Sequence, residues 1–160
     1  MSRHILTAAI AAWLLVPGTA QAQLADANQM GVAIGHMHLT AQDIPAAANF
    51  FVALGGTSMA PDRVKFPGVV IMLRSGTAGP SDGSTVGHIG FTVPNRAAAL
   101  SRWSAAGVKT DMKSPYINTP DGLTRIEIQE DAKQAVPIRF SHIHVYVDWK
   151  STRLNSSHVS

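Results

Sequence analysis

The chain has 160 residues, a length that fits one folded domain with its own core, and its lack of cysteine excludes disulfide frameworks and thiolate metal sites. Its formal net charge of +3 comes from the two ends of the sequence. Without Arg3, Lys150 and Arg153, ten basic residues face ten acidic ones, so the charge gives no reason to expect a nucleic-acid partner.

The first 22 residues have the pattern of a secretory signal peptide. Arg3 and His4 form a short polar start, residues 5–16 are mostly apolar, and Ala20-Gln21-Ala22 is a small-x-small cleavage site. The apolar run is shorter than the roughly 20 residues of a transmembrane helix. We therefore expect a periplasmic or secreted protein without stable membrane insertion, and a loose leader over residues 23–32.

One spacing pattern occurs twice, 52 residues apart. It consists of a histidine, an Asp or Asn seven residues later that suits a helix N-cap, and a glycine nineteen residues after the histidine that suits a helix end. The members are His36, Asp43 and Gly55 in the first copy, and His88, Asn95 and Gly107 in the second. Internal repeats mark repeated supersecondary units. We expect one domain over residues 33–131, with units at 33–75 and 86–131.

Each unit is predicted to run strand, helix and three strands. In the first, the pattern predicts a strand at 33–41, a helix from 44 to about 54, two short strands within 57–66, and a strand at 69–74. A linker rich in Gly, Ser and Pro follows. In the second, it predicts a strand at 87–93, a helix at 96–106, short strands at 108–112 and 114–117, and a closing strand at 124–130. The fold class is therefore α+β.

Three candidate metal ligands lie on the strand faces that point away from the predicted core: His36, His88 and Glu127. Two imidazoles and one carboxylate suit a divalent Fe, Mn, Zn or Ni ion and leave positions open for a substrate. Taken singly, each histidine is more often a hydrogen-bonded strand residue, and the glutamate a solvated charge. The shared repeat position of the two histidines favours the metal interpretation.

Residues 138–148 look like the first strand of a third copy, because His142-Ile143-His144 repeats the pattern His36-Met37-His38. Trp149 stands where the earlier copies have their helix cap, and residues 149–160 show no periodicity. We expect residues 149–160 to be a non-native tail and the chain to be the first part of a longer protein. An unpaired strand at 138–148 would favour a homodimer.

Three stretches carry a family resemblance. They are residues 34–40 with His36, residues 86–93 with His88, and residues 119–128, where Thr119-Pro120-Asp121-Gly122 leads to Glu127. Together they resemble the vicinal oxygen chelate superfamily. That superfamily includes glyoxalases, extradiol dioxygenases, fosfomycin-resistance thiol transferases and metal-free bleomycin-binding proteins.

The resemblance implies paired βαβββ units that form an open, cup-shaped mixed sheet with helices outside. It implies a divalent metal ion held by His36, His88 and Glu127, and a small-molecule substrate bound through two neighbouring oxygens. Members with four ligands carry a glutamate where this chain has Met72. The spacing from Gly122 to Glu127 is one residue longer than is common, so Glu130 is the alternative third ligand.

Further candidates share the same faces. His38 is the candidate catalytic acid or base, with a polar wall of the cup as the alternative, and Met72, Arg74 and Arg125 are the candidate substrate-binding residues. Either arginine could pair with an anionic substrate or be a charge on the rim. The sequence thus favours an exported metal-dependent enzyme. The alternatives are a metal-free module that binds small molecules and an inactive fragment of a larger protein with two such domains.

Overall fold

The computed structural model of the protein describes residue 27 and residues 29–147. The predicted signal peptide at 1–22 and the predicted tail at 149–160 lie outside these residues, as do residues 23–26 and 28 of the leader and residue 148.

The described part contains two helices and two four-stranded mixed sheets. The first sheet has the strand order β1-β4-β3-β2 and the second has the order β6-β7-β5-β8. In each sheet one pair is parallel, β1 with β4 and β5 with β7, and the other pairs are antiparallel. This is the predicted α+β class. The elements are β1 (His36–Ala41), α1 (Ile44–Leu54), β2 (Thr57–Ala60), β3 (Arg63–Phe66), β4 (Val69–Ser75), β5 (Val86–Val93), α2 (Arg96–Ala105), β6 (Tyr116–Asn118), β7 (Arg125–Glu130) and β8 (Arg139–Val145).

Both helices begin at the predicted caps. The side chain of Asp43 accepts a hydrogen bond from the backbone N–H of Ala46 at 2.9 Å, and Asn95 accepts one from Ala98 at 2.8 Å. These caps satisfy N–H groups that have no partner within the helix. Helix α1 ends at Gly55, whose φ of 115° is a left-handed conformation that glycine adopts without strain.

The strand predicted at 108–112 does not form. Val108 is buried, but most of the side chains that follow are exposed and offer no apolar face to a sheet. A turn forms instead: the Asp111 carboxylate accepts from the backbone N–H of Lys113 at 2.8 Å, and the N–H of Ser114 donates to the Asp111 carbonyl at 3.3 Å. The second sheet gains its fourth strand at the opposite edge, where β8 pairs with β5.

Aromatic rings connect the two sheets within one hydrophobic core. The Phe66 ring contacts the Phe91 ring with a centroid distance of 4.9 Å, and Phe91 contacts Phe140 at 5.8 Å, so the contacts run from β3 through β5 to β8. The indole N–H of Trp103 on α2 donates to the Leu54 carbonyl at the end of α1 at 3.1 Å. Strand β8 is therefore part of the core, and its position relative to β5 is fixed.

Candidate metal centre

Strand β5 is the centre of the site because β7 and β8 flank it on either side. Gly90 of β5 lies opposite Glu127 on β7 and opposite His142 on β8, while His88 lies opposite His144. Residues at these positions share one face of the sheet because side chains alternate along a strand. Three adjacent strands thus bring two imidazoles and one carboxylate to a single face.

The ligand atoms of His88, Glu127 and His142 form a nearly equilateral triangle. Oε2 of Glu127 lies 3.4 Å from Nε2 of His88 and 3.2 Å from Nε2 of His142, and the two Nε2 atoms are 3.3 Å apart. Ligand atoms about 2.0–2.2 Å from one ion, at tetrahedral or octahedral angles, lie roughly 2.8–3.6 Å from each other. All three separations fall in that range.

Neighbouring side chains orient two of the three ligands. Ser141 Oγ lies 3.1 Å from Nδ1 of His142, and the side-chain amide of Gln129 donates to Oε2 of Glu127 at 3.0 Å. A hydrogen bond from Nδ1 to a hydroxyl leaves the lone pair of Nε2 for a cation, and outer partners of this kind are typical of metal sites. The donor set and its surroundings therefore fit a divalent ion.

His88 is the buried member of the group, with 5% of its surface exposed. Its ring stacks on that of His144 with a centroid distance of 4.6 Å and meets the edge of Tyr116 at 5.5 Å. Burial lowers the pKa of His88, although the Glu127 carboxylate acts in the opposite direction. The neutral imidazole that results is the form that binds metals.

Gly90 provides the space that His142 occupies. A Cβ atom at Gly90 would lie 2.2 Å from Cε1 of His142, far inside van der Waals contact. The imidazole lies across β5 only because this position has no side chain. Gly87 has a similar role, since a Cβ there would lie 2.3 Å from Cε2 of Tyr146.

Of the three predicted ligands, His88 and Glu127 lie together, and the third member of the group is His142. In the described part of the chain, this is the group of three metal-binding side chains whose ligand atoms all lie within 4.8 Å of one another. His36 is exposed at the start of β1 in the other sheet, and its ring centroid lies 5.1 Å from that of His38. The sequence did hold a signal for His142, which has the same repeat position as His36 and follows His88 by 54 residues.

His38, Met72 and Arg74 form a separate polar face on the first sheet. His38 lies opposite Met72, and Thr40 opposite Arg74, in the parallel pair of β1 and β4. The Arg74 Nε–H donates to Nδ1 of His38 at 2.8 Å, so the neutral His38 ring carries its proton on Nε2. Desolvation, the positive charge of Arg74 and the neighbouring His36 lower the pKa of His38.

Arg125 and Glu130 have other partners. Arg125 pairs with the Asp82 carboxylate and lies over the Tyr116 ring, 4.4 Å from its centroid. Glu130 accepts a hydrogen bond from the backbone N–H of Arg96 at 2.8 Å, at the first residue of α2. Glu130 therefore stabilises a helix start, and it is Glu127 that belongs to the metal group.

Two cavities lie near these groups. One, of about 230 Å³, is lined by both His38 and His88, together with Leu39, Thr40, Ile89, Leu123, Thr124 and parts of residues 78–86. A larger groove of about 600 Å³ lies between α1 and residues 106–122, and its lining includes none of the three ligand residues. The smaller cavity thus lies between His38 of the first sheet and one member of the metal group, His88.

Comparison with protein-family models and with curated proteins finds no match for this chain. Within the described residues, no helix is both long and apolar enough to cross a membrane. The function must therefore be inferred from the side chains themselves and from their geometry.

Proposed function

We propose that this protein is an exported metal-dependent enzyme whose divalent ion is held by His88, Glu127 and His142, and whose substrate binds through two neighbouring oxygens. The observation that carries the proposal is the triangle of ligand atoms with sides of 3.2–3.4 Å on three adjacent strands. Its donor set suits Fe, Mn, Zn or Ni. The proposal is the metal-dependent enzyme that the sequence and its superfamily resemblance led us to expect. It differs in one ligand, because His142 replaces His36.

The three ligands approach from one face of the sheet, so coordination positions on the opposite side stay open. A divalent ion bound there would act as a Lewis acid and a template for the two substrate oxygens. The chain keeps His88 neutral by burial and holds the Glu127 carboxylate with Gln129. An enediolate, a catecholate or a phosphonate has the oxygen spacing that such a site requires. We infer that the two sheets form the wall of an open cup around these positions.

The polar face of the first sheet is proposed to bind the rest of the substrate. Because Arg74 holds Nδ1 of His38, the Nε2–H of His38 is available to donate to a substrate oxygen or to transfer a proton there. The cavity of about 230 Å³ that His38 shares with His88 would let one substrate contact both residues. Met72 and Arg74 flank His38, and Arg125 adds a second positive charge beside Tyr116.

Metal binding by variants of the purified protein tests the proposal. The protein is treated with a chelator, exchanged into buffer, and titrated with Zn²⁺, Mn²⁺ or Ni²⁺ by calorimetry, with metal content measured by mass spectrometry. We expect one ion per chain. His88→Ala, Glu127→Ala and His142→Ala each remove a ligand and should weaken binding by more than about a hundredfold, beyond what loss of an outer partner costs.

His36→Ala is the matched control, because it removes an imidazole at the same repeat position on the other sheet. It should leave the affinity within about threefold of the parent, as expected for a residue outside the metal group. Loss of binding in His36→Ala with retention in His142→Ala would contradict the assigned ligands. Absence of metal binding by the folded parent would contradict the enzyme proposal and favour the metal-free binding module.

A further inference from the structure

The guanidinium group of Arg125 lies on the same face of the second sheet as the metal group. Arg125 precedes Glu127 by two residues on β7, so their side chains point to the same side and their Cα atoms are about 7 Å apart. The guanidinium lies over the Tyr116 ring, 4.4 Å from its centroid, and Tyr116 is opposite Glu127 in the pairing of β6 with β7. Tyr116 also contacts the His88 ring, with a centroid distance of 5.5 Å. Arg125 is therefore held toward the metal group.

The hydrogen-bonding capacity of Arg125 is only partly used. One guanidinium nitrogen, Nη1, donates to Oδ1 of Asp82, and in the described part of the chain the other guanidinium N–H groups donate to no protein acceptor. A guanidinium group binds an oxyanion best through two parallel N–H···O bonds. The Arg125 side chain is 29% exposed, so an oxyanion in solution can reach the unused donors. The pair with Asp82 thus leaves room for a better acceptor.

Asp82 can leave Arg125 without a change in the backbone. The neighbouring Ser81 is held by its N–H, which donates to the Leu123 carbonyl at 2.7 Å, and by its hydroxyl, which accepts from the Arg125 N–H at 2.8 Å. Because the Asp82 side chain is 62% exposed, rotation about its own bonds moves the carboxylate into solvent. Exposed ion pairs contribute a factor of up to about five to an equilibrium constant. A stronger acceptor for Arg125 would therefore displace Asp82 readily.

The Arg125–Asp82 pair stands beside the proposed substrate cavity. Ser81 and Thr124 both line the cavity of about 230 Å³, and they adjoin Asp82 and Arg125 in the sequence. His88 of the metal group lines the same cavity. A substrate that occupies this cavity and binds the metal ion would thus lie next to the guanidinium group.

We propose that Asp82 is a specificity-determining residue, which occupies on Arg125 the place of a second oxyanion of the substrate. The inference rests on the proposed function, because the two chelating oxygens must bind the metal ion beside Glu127. A substrate with a carboxylate, phosphonate or phosphate group within about 7 Å of these oxygens would bind Arg125 through two oxygens and displace Asp82. A substrate without that group leaves the ion pair closed. The site therefore selects compact substrates with two anionic groups.

Competition for Arg125 can be measured without a metal ion and thus independently of the proposed function. The full chain, with a chelator present, is titrated with inorganic phosphate, and the backbone amide resonances of Ser81 and Arg125 are followed by NMR. Asp82→Asn removes the competing charge and should tighten phosphate binding about two- to fivefold. Asp62→Asn is the matched control, because it makes the same change in net charge at an exposed pair with Arg63. Its phosphate affinity should stay within about 1.5-fold of the parent, since distant exposed charges are screened.

Arg125→Gln keeps a polar side chain but removes the charge, and it should weaken phosphate binding at least about tenfold. It should also abolish the gain from Asp82→Asn when the two substitutions are combined. Equal phosphate affinities of the Asp82→Asn and Asp62→Asn variants would overturn the competition. Unchanged phosphate binding in Arg125→Gln would overturn the assignment of the anion to Arg125.

The substrate class is tested by calorimetry with the zinc-loaded protein and two probes. Phosphonoacetate carries a phosphonate for the metal ion and a carboxylate for Arg125, whereas methylphosphonate lacks the carboxylate. Arg125→Gln should weaken phosphonoacetate binding at least about tenfold and methylphosphonate binding less than about twofold. Equal losses for the two probes would overturn the selection of substrates with two anionic groups. Failure of the parent to bind zinc would overturn the proposed function and with it the substrate class, whereas the phosphate titration would still decide the competition at Arg125.

Discussion

Gly90 is not a metal ligand, but it determines where the His142 ligand can lie. It lies between Glu127 and His142 in the pairing of three strands, and its missing side chain is the space that the His142 ring fills. The ligands supply the chemistry, but their spacing depends on an imidazole that crosses the strand at this point. A methyl group there would push His142 away from the other two ligand atoms.

Gly90→Ala is therefore expected to lose metal affinity by at least about tenfold, the size of effect seen when the surroundings of a ligand are disturbed. Unfolding by urea should show a smaller change, because His142 is partly exposed and can move toward solvent. Gly35→Ala is the matched control, since a Cβ there meets nothing within 4 Å. Affinity in Gly90→Ala equal to that of the control would mean that His142 is not held in this way.

The turn at residues 119–123 ties the second unit to the start of α1. The Asp121 carboxylate accepts from the Thr119 hydroxyl at 2.7 Å, from the Leu123 N–H at 3.1 Å and from the Gln42 N–H at 3.2 Å. Burial raises the pKa of Asp121, but these hydrogen bonds outweigh it and hold the pKa below its ordinary value. One carboxylate thus stabilises both a turn and the approach to a helix.

Asp121→Ala should destabilise the protein by about 1–3 kcal/mol, because it leaves these donors without their acceptor. The folded pKa lies below the unfolded one, so this stabilisation is fully present above pH 3.8 and is lost as the pH falls through the lowered pKa. Urea unfolding at several pH values measures both effects. Asp62→Ala, which removes an exposed ion pair with Arg63, should change stability by less than about 0.5 kcal/mol. A difference between the two variants that persists undiminished in acid would contradict the role of the carboxylate.

Local patterns in the sequence predicted the elements that local chemistry determines. Asp43 and Asn95 predicted where the two helices begin, because the side chain of a cap binds a backbone N–H only three positions away. Alternation placed His88 and Glu127 on the face opposite the core side chains for the same reason. The strand prediction at 108–112 was wrong because one buried valine does not make a strand when its neighbours are exposed.

Local patterns in the sequence could not identify the third member of the metal group. His36 and His142 have the same repeat position, so spacing cannot choose between them. The choice depends on which strand occupies the outer edge of β5, and that is decided by contacts between distant residues. Phe140 packs on Phe91, and the N–H of Phe140 donates to the Pro67 carbonyl at 2.9 Å. These contacts dock β8 beside β5 and bring His142 with it.

At the scale of the whole molecule, the chain uses one structural unit in two ways. The second sheet is completed by β8 and carries the complete group of two histidines and one glutamate. The first sheet has the equivalent parallel pair, β1 with β4, at its edge, with Met72 in place of the glutamate. We propose that the second sheet binds the metal ion, while the first contributes His38 to the substrate cavity.

Anomalous X-ray diffraction from crystals of the zinc-loaded protein, measured on both sides of the zinc absorption edge, tests the central claim most directly. It locates the ion without reference to any variant. We predict one peak per chain, within about 2.0–2.2 Å of Nε2 of His88, Nε2 of His142 and a carboxylate oxygen of Glu127. A peak at His36 and His38 instead, or an ordered triad with no peak in the presence of excess zinc, would contradict the claim.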